Sequence, residues 1–296
     1  MRRWGLIAGM EIAAVWLAML PGCAVSPGWR ERQRLKHEAA SAQATQAMAL
    51  SQEAQDAIDR HDEPLALGLL EQLVSVSPKS AEAHQRLGKV FLAQGRFADA
   101  EVSFRKALEL DPEYAAARTG LGSIAATLSR PEEALEQFDQ SIDLLPHQAD
   151  AHFLRGQALE VLGRTDDALA AYFRALELEP NSSRAQLRIA TILLGRDEPD
   201  QALVRLDPLV EQNPDDAEAR HQRGRAHLAL HHLKLAVDDL KFAVEKLPNH
   251  PDIHYHLALA LAAENDTKGA IASAEQALKL APGFADAKTL RGKLLR

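Results

Sequence analysis

The sequence predicts an all-α protein, a solenoid of about seven helix hairpins closed by a C-terminal capping helix. Two series of residues carry that expectation. Proline recurs at Pro78, Pro112, Pro146, Pro180, Pro214, Pro248 and Pro282, and alanine at Ala66, Ala100, Ala134, Ala168, Ala202, Ala236 and Ala270. Both series have a period of 34 residues without slippage. The spacing of apolar residues within one period, 81–114, is the third observation. Leu87, Gly88 and Phe91 share a face of one helix, and Ala100, Phe104 and Ala107 a face of the next. That is helical spacing rather than the alternation of a strand. Pro112 ends the second helix, because proline lacks the N–H and clashes with the preceding turn.

Taken in order, the first 22 residues differ from the rest. Arg2 and Arg3 give a positive start, Ile12 to Leu20 form a short apolar run, and Leu20-Pro21-Gly22-Cys23 precedes a polar, basic segment. This is the layout of a secretory signal over 1–22, with a run shorter than the roughly 20 residues of a membrane span. Residues 23–46 read as a tether and leading helix. Ser26, Pro27 and Gly28 keep its start irregular, and good helix formers run unbroken from Trp29. Arg30, Arg32, Arg34 and Lys36 read as a solvated face of that helix. Seven hairpins fill 47–284, at 47–80, 81–114, 115–148, 149–182, 183–216, 217–250 and 251–284, and 285–296 match only a first helix and cap the array. The first unit is degenerate, with Glu53 at a leucine position, as an outermost hairpin facing water should be.

Inside the units, small residues recur on the first helix as Ala54, Gly88, Gly122, Gly156, Ala190, Gly224, Ala258 and Gly292. Bulky ones recur on the second as Leu70, Phe104, Phe138, Tyr172, Leu206 and Leu240. The inter-helix turns fall at His61, Gly95, Ser129, Gly163, Asp197, His231 and Asn265. Such turns often need positive φ, which Gly, Asn, Asp and His tolerate best. With its period, this template resembles the tetratricopeptide repeat, and the resemblance implies a right-handed solenoid that acts as a non-enzymatic protein-binding scaffold. Likewise, Leu20 to Cys23 resembles the lipobox of bacterial lipoproteins. That resemblance implies cleavage before Cys23, lipid attachment to its sulfur, and anchoring in the cell envelope. Ala24 in place of the retention aspartate points to the outer membrane, facing the periplasm. Pro21 and Glu11 depart from the lipobox pattern and leave open a cytoplasmic-side scaffold with an uncleaved anchor.

A net charge of −8 argues against nucleic-acid binding, which needs a basic surface. No phosphate-binding glycine loop, paired-cysteine motif or nucleophile elbow is present, so neither cofactor nor catalysis is expected. An enzyme-associated subunit is the alternative reading. The pairs His227/His231 and His250/His254 stand at i, i+4, the spacing of two metal ligands on one helix face. However, His84, His152 and His254 occupy the family's tryptophan position and His227 its tyrosine position, which makes them packing residues with a polar tip.

By family resemblance, the fifth, sixth and ninth residues of each unit line a concave groove for a partner peptide or helix. Candidates there are Arg86, Lys89, Phe153, Gln157, Leu187, Arg188, His221, Arg225 and Tyr255. The lysines and asparagines of a chaperone-tail clamp are not reproduced, since Ser51, Gln55, Arg86, Ala116 and Gly120 fill those places. None of the 21 groove positions is Asp or Glu. Four cations in a concave surface focus positive potential, and Phe153, Leu187 and Tyr255 add apolar anchors. The expected partner is a protein carrying an acidic segment with bulky apolar residues.

Overall fold

The computed structural model describes residues 27–296. The expected signal segment and Cys23 lie outside the described residues. These residues form fifteen helices and no strand, paired into hairpins, and no described helix is long and apolar enough to cross a membrane. They divide into two compact units, the first ending at Pro112 and the second beginning at Glu113. In the first, α1 (Pro27–Asp59) pairs with α2 (Glu63–Val76), and α3 (Ala81–Ala93) with α4 (Phe97–Leu110). The second starts with α5 (Ala115–Thr127) against α6 (Pro131–Leu144) and α7 (Ala149–Val161) against α8 (Thr165–Leu178). It continues with α9 (Ser183–Gly195) on α10 (Pro199–Gln212) and α11 (Ala217–Ala229) on α12 (Leu233–Lys246). The last pair is α13 (Pro251–Ala263) and α14 (Thr267–Leu280), followed by the single capping helix α15 (Ala285–Leu294).

The helix α1 merges the expected leader with the first helix of the first hairpin. Pro27 and Gly28, expected to be irregular, belong to it: proline at a helix start gives up an N–H that has no intrahelical partner anyway. From Gly28 to Gln43 the helix is exposed, and burial begins with Leu50, Ala54 and Ala57.

All seven expected turn residues adopt positive φ, from 57° at His61 to 71° at Gly95 and Gly163. The residue after each turn donates its N–H back to the first helix, as in Arg130 N to Ala125 O at 2.8 Å. This fixes the hairpin angle. The seven alanines of the 34-residue series are fully or almost fully buried at the crossing of each hairpin. Beside them the small and bulky residues interlock. A Cβ placed on Gly88 would come within 2.8 Å of the Phe104 ring, and on Gly122 or Gly156 within 2.6 Å of Phe138 or Tyr172.

Successive hairpins are joined by a further device that the repeats share. His152 Nε2 lies 2.9 Å from the Pro146 carbonyl oxygen, His84 Nε2 3.1 Å from that of Pro78, and His254 Nε2 2.9 Å from that of Pro248. Gln186 Nε2 donates to Pro180 O at 3.1 Å and Arg220 Nε to Pro214 O at 2.7 Å. A carbonyl only accepts, so the three histidines carry their proton on Nε2. The polar tips expected from the sequence thus hold the connection between one hairpin and the next.

Candidate functional site

In the first unit, α1 supplies Gln55 and α3 supplies Gln85, Arg86 and Lys89 to a cavity of about 360 Å³, also lined by Ile58, His61, Glu63, Ala66, Val90 and Ala93. Arg86 is held in place. Its Nη1 donates to Ser51 Oγ at 2.8 Å and to Ser51 O at 3.2 Å, its Nη2 to Gln55 Oε1 at 2.8 Å, and Glu82 lies 3.5 Å from its Nε. Lys89 is exposed and forms no ion pair among the described residues. Gln85 is only 9% exposed, yet its amide hydrogen-bonds to no protein group among those described.

The second unit places its candidates differently. Phe153 is 6% exposed, packs its ring 5.4 Å from that of Tyr172, and belongs to the main apolar cluster. Gln157 on the same helix is exposed, and Leu187 is half-buried against that cluster. Arg188 on α9 makes a two-pronged contact with Glu160 on α7, Nε at 2.9 Å and Nη2 at 2.6 Å. The buried Tyr172 hydroxyl on α8 donates to the same carboxylate oxygen. Burial, reinforced by Glu160, pushes the Tyr172 phenol far above its ordinary range. Burial works against the Arg188 charge, but Glu160 and then Tyr172 outweigh it and leave the guanidinium above its usual value. Three helices are thereby tied through one carboxylate, and the Arg188 charge is matched locally.

Further along, His221 and His256 meet at 3.1 Å between Nε2 and Nδ1. His221 is 6% exposed, and its Nδ1 has no hydrogen-bond partner, with Glu218 Oε1 3.7 Å away. Burial, with His221 and Arg225 nearby, drives His256 down to about 3. Glu218 is held at about 2, chiefly by His221, against burial and with help from Gln222. Arg225 Nη1 donates to Gln222 Oε1 at 2.6 Å, and burial lowers its pKa while Glu218 and Asp252 oppose the shift. Tyr255 stacks obliquely on Phe284 and on His256, with ring centroids 5.0 and 5.4 Å away.

Reading three positions per unit therefore missed the counter-charges. Glu82, Glu218 and Asp252 stand four residues before Arg86, Gln222 and His256, one helical turn away. That i, i+4 spacing was present in the sequence. Glu160 reaches Arg188 from the preceding hairpin, and no local spacing announces it. The histidine pairs do not share helix faces as their spacing suggested: His231 lies in a turn at φ 58° and His250 precedes the first residue of α13. Among the described residues no three His, Cys, Asp or Glu side chains gather as a metal site.

A tetratricopeptide-repeat family model matches the sequence at residues 51–115, 86–147, 119–183 and 221–285, and a second model of the same description at 162–228. Among solved structures, PilF of Pseudomonas aeruginosa is similar with a TM-score of 0.64 at 20% identity, over 72% of this chain and 97% of its own. PilW, described as a widely conserved type IV pilus biogenesis factor, gives 0.60 at 19% identity, over 71% and 97%. YrrB, described as a TPR protein with an unusual peptide-binding site, gives 0.54 at 24% identity, over 64% and 97%. None of the curated proteins compared matches the sequence. At such identities the likeness speaks for the fold.

Proposed function

This chain belongs to the tetratricopeptide-repeat family, and from that membership we propose that it is a non-enzymatic adaptor of the bacterial cell envelope. It holds a partner protein along the face of its first helices and is anchored through lipid on Cys23, at the outer membrane facing the periplasm. The observation that carries the binding reading is the state of that face. In the first unit Gln85 and Lys89 are polar groups without protein partners; in the second, Gln157 is exposed and Leu187 and Tyr255 offer half-buried apolar surface. The partner segment is acidic with bulky apolar residues. Leu187 and Tyr255 take the apolar groups, while Phe153, already in the core, supports the face from behind. The envelope reading rests on the lipobox-like Leu20 to Cys23 stretch, and the fold shared with PilW, a pilus biogenesis factor, accords with a role in assembling an envelope machine.

A photo-crosslinking residue at Gln157, on a first helix, tests the reading against one at Val204, which is also exposed, on a second helix. In the native host, position 157 should capture a discrete partner and position 204 should not. Equal capture from both positions removes the first-helix face from the function. In the same cells, Cys23→Ser should release the protein from the membrane fraction, and retention there would overturn the lipid anchor.

A further inference from the structure

We propose that the first turns of α1 are a leader that docks on an anionic phospholipid surface, an inference that rests on the lipid anchor at Cys23 proposed above. α1 is 33 residues long, whereas the first helices of the later hairpins have 13. The excess projects beyond its partner. From Gly28 to Gln46 every residue is exposed, and the first tie to α2 is Gln43, whose amide donates to the carbonyl of Val76 at the end of that helix.

This projection is charged oppositely to the rest of the chain. Arg30, Arg32, Arg34 and Lys36 stand here against Glu31 and Glu38, four cations to two carboxylates. Six of the 34 Lys and Arg and three of the 42 Asp and Glu precede Ala47, so residues 47–296 carry −11. An anionic surface attracts the leader and repels the hairpins, which decides the end that approaches it. The charges are also sorted around the helix. Trp29, Arg32 and Lys36, at i, i+3 and i+7, share one face, and Glu31 and Glu38, at i and i+7, share another. Glu38 lies 3.6 Å from Arg34, and Arg30, Arg32 and Lys36 have no ion pair among the described residues. The exposed Trp29 indole suits the headgroup level, where its apolar ring and its N–H are both accommodated.

The chain before α1 argues for lipid as the occupant. Only residues 24–26 separate Cys23 from Pro27, a span of about 14 Å at most even when fully extended. A lipid on Cys23 therefore holds the leader beside the headgroups, where a Debye length of about 8–10 Å leaves its charges effective. The anchor supplies retention, and the leader sets orientation by keeping the acidic hairpins off the surface.

The probe is the full-length chain carrying Trp4→Phe and Trp16→Phe, which leaves Trp29 as its one tryptophan. It is reconstituted in vesicles of phosphatidylcholine alone or mixed with phosphatidylglycerol. On the mixed vesicles Trp29 emission should shift to the blue and be quenched by brominated acyl chains. The ratio of docked to free leader should be about thirtyfold higher there, the effect of two net charges at the surface. High salt should reverse the shift. Arg32→Glu with Lys36→Glu should abolish it, while the same reversal at Lys106 and Lys279, exposed on second helices, should leave it intact. Identical emission on the two vesicle types, or an equal response to the two charge reversals, would overturn the leader contact. Flotation with the neutral vesicles reports the anchor separately. Flotation with unchanged emission sinks the leader contact alone, and failure to float there with the blue shift kept on the mixed vesicles sinks the anchor alone.

Discussion

At the scale of single residues, the repeats balance volume across each hairpin. Gly88, Gly122 and Gly156 each lie under an aromatic ring, whereas by the same register Ala54 and Ala190 correspond to the smaller Leu70 and Leu206, and Ala258 to Ala274, all of them buried. One added methyl on the first helix is matched by a smaller side chain on the second. Gly224 keeps glycine against a leucine, because a Cβ there would come within 2.8 Å of Leu240 Cγ. Gly122→Ala should therefore overpack against Phe138 and cost about 1–3 kcal/mol. In that background, Phe138→Leu should recover part of the loss, although the same change in the wild-type chain opens a cavity and destabilises. Urea melts of the four proteins measure the coupling, and strictly additive effects would refute the compensation.

At the scale of the element, each hairpin is a unit of two short helices whose ends are managed by different chemistry. The turn between its helices depends on one residue at positive φ. The link to the next depends on the donor that reaches the carbonyl of the recurring proline. His152→Leu should cost about 0.5–1.5 kcal/mol, the low end because Pro146 is exposed and water can take up its carbonyl. His152→Gln should cost less, because Gln186 makes the same bond one unit later. Identical melts for the two variants would show that the bond is idle. This device also marks where the sequence was legible and where it was not. The period, the helix faces, the turns and the small-to-large pairs were readable because each is set by a narrow class of residues at one register. The donor role was half visible: His84, His152, Gln186, Arg220 and His254 share nothing but an N–H. The groove was read less well, because its charge depends on residues outside the three chosen positions. Glu160 meets Arg188 only after α7 and α9 pack side by side, and Lys89 differs from Arg86 only in what fails to reach it.

At the scale of the whole chain, stability in such an array is a sum of local and nearest-neighbour terms, so a perturbation in one hairpin should stay near it. Protonation offers a clean perturbation. His256 is held at about 3 in the folded protein, mainly by burial, with His221 and Arg225 against its charge and Asp252 and Tyr255 beside it. An unfolded histidine titrates near 6.5, so between about 6.5 and 3 the unfolded chain binds the extra proton. Stability is then lost as pH falls through that window, by up to about 1.4 kcal/mol per pH unit for this one group. Glu218, held at about 2, is ionised in both states down to its ordinary range near 4.5, and its contribution disappears only below that. From pH 7.5 to 5.5 His256 therefore acts without Glu218. Hydrogen exchange corrected for intrinsic rates should show protection falling in α11 to α14 and holding in α1 to α4 and in α7 and α8. His256→Asn, which keeps a polar partner for His221 without a titrating ring, should reduce that response and leave only the share of His227 on α11, whose pKa burial also lowers. A uniform fall across all hairpins, or an unchanged response in His256→Asn, would place the acid sensitivity elsewhere in the chain.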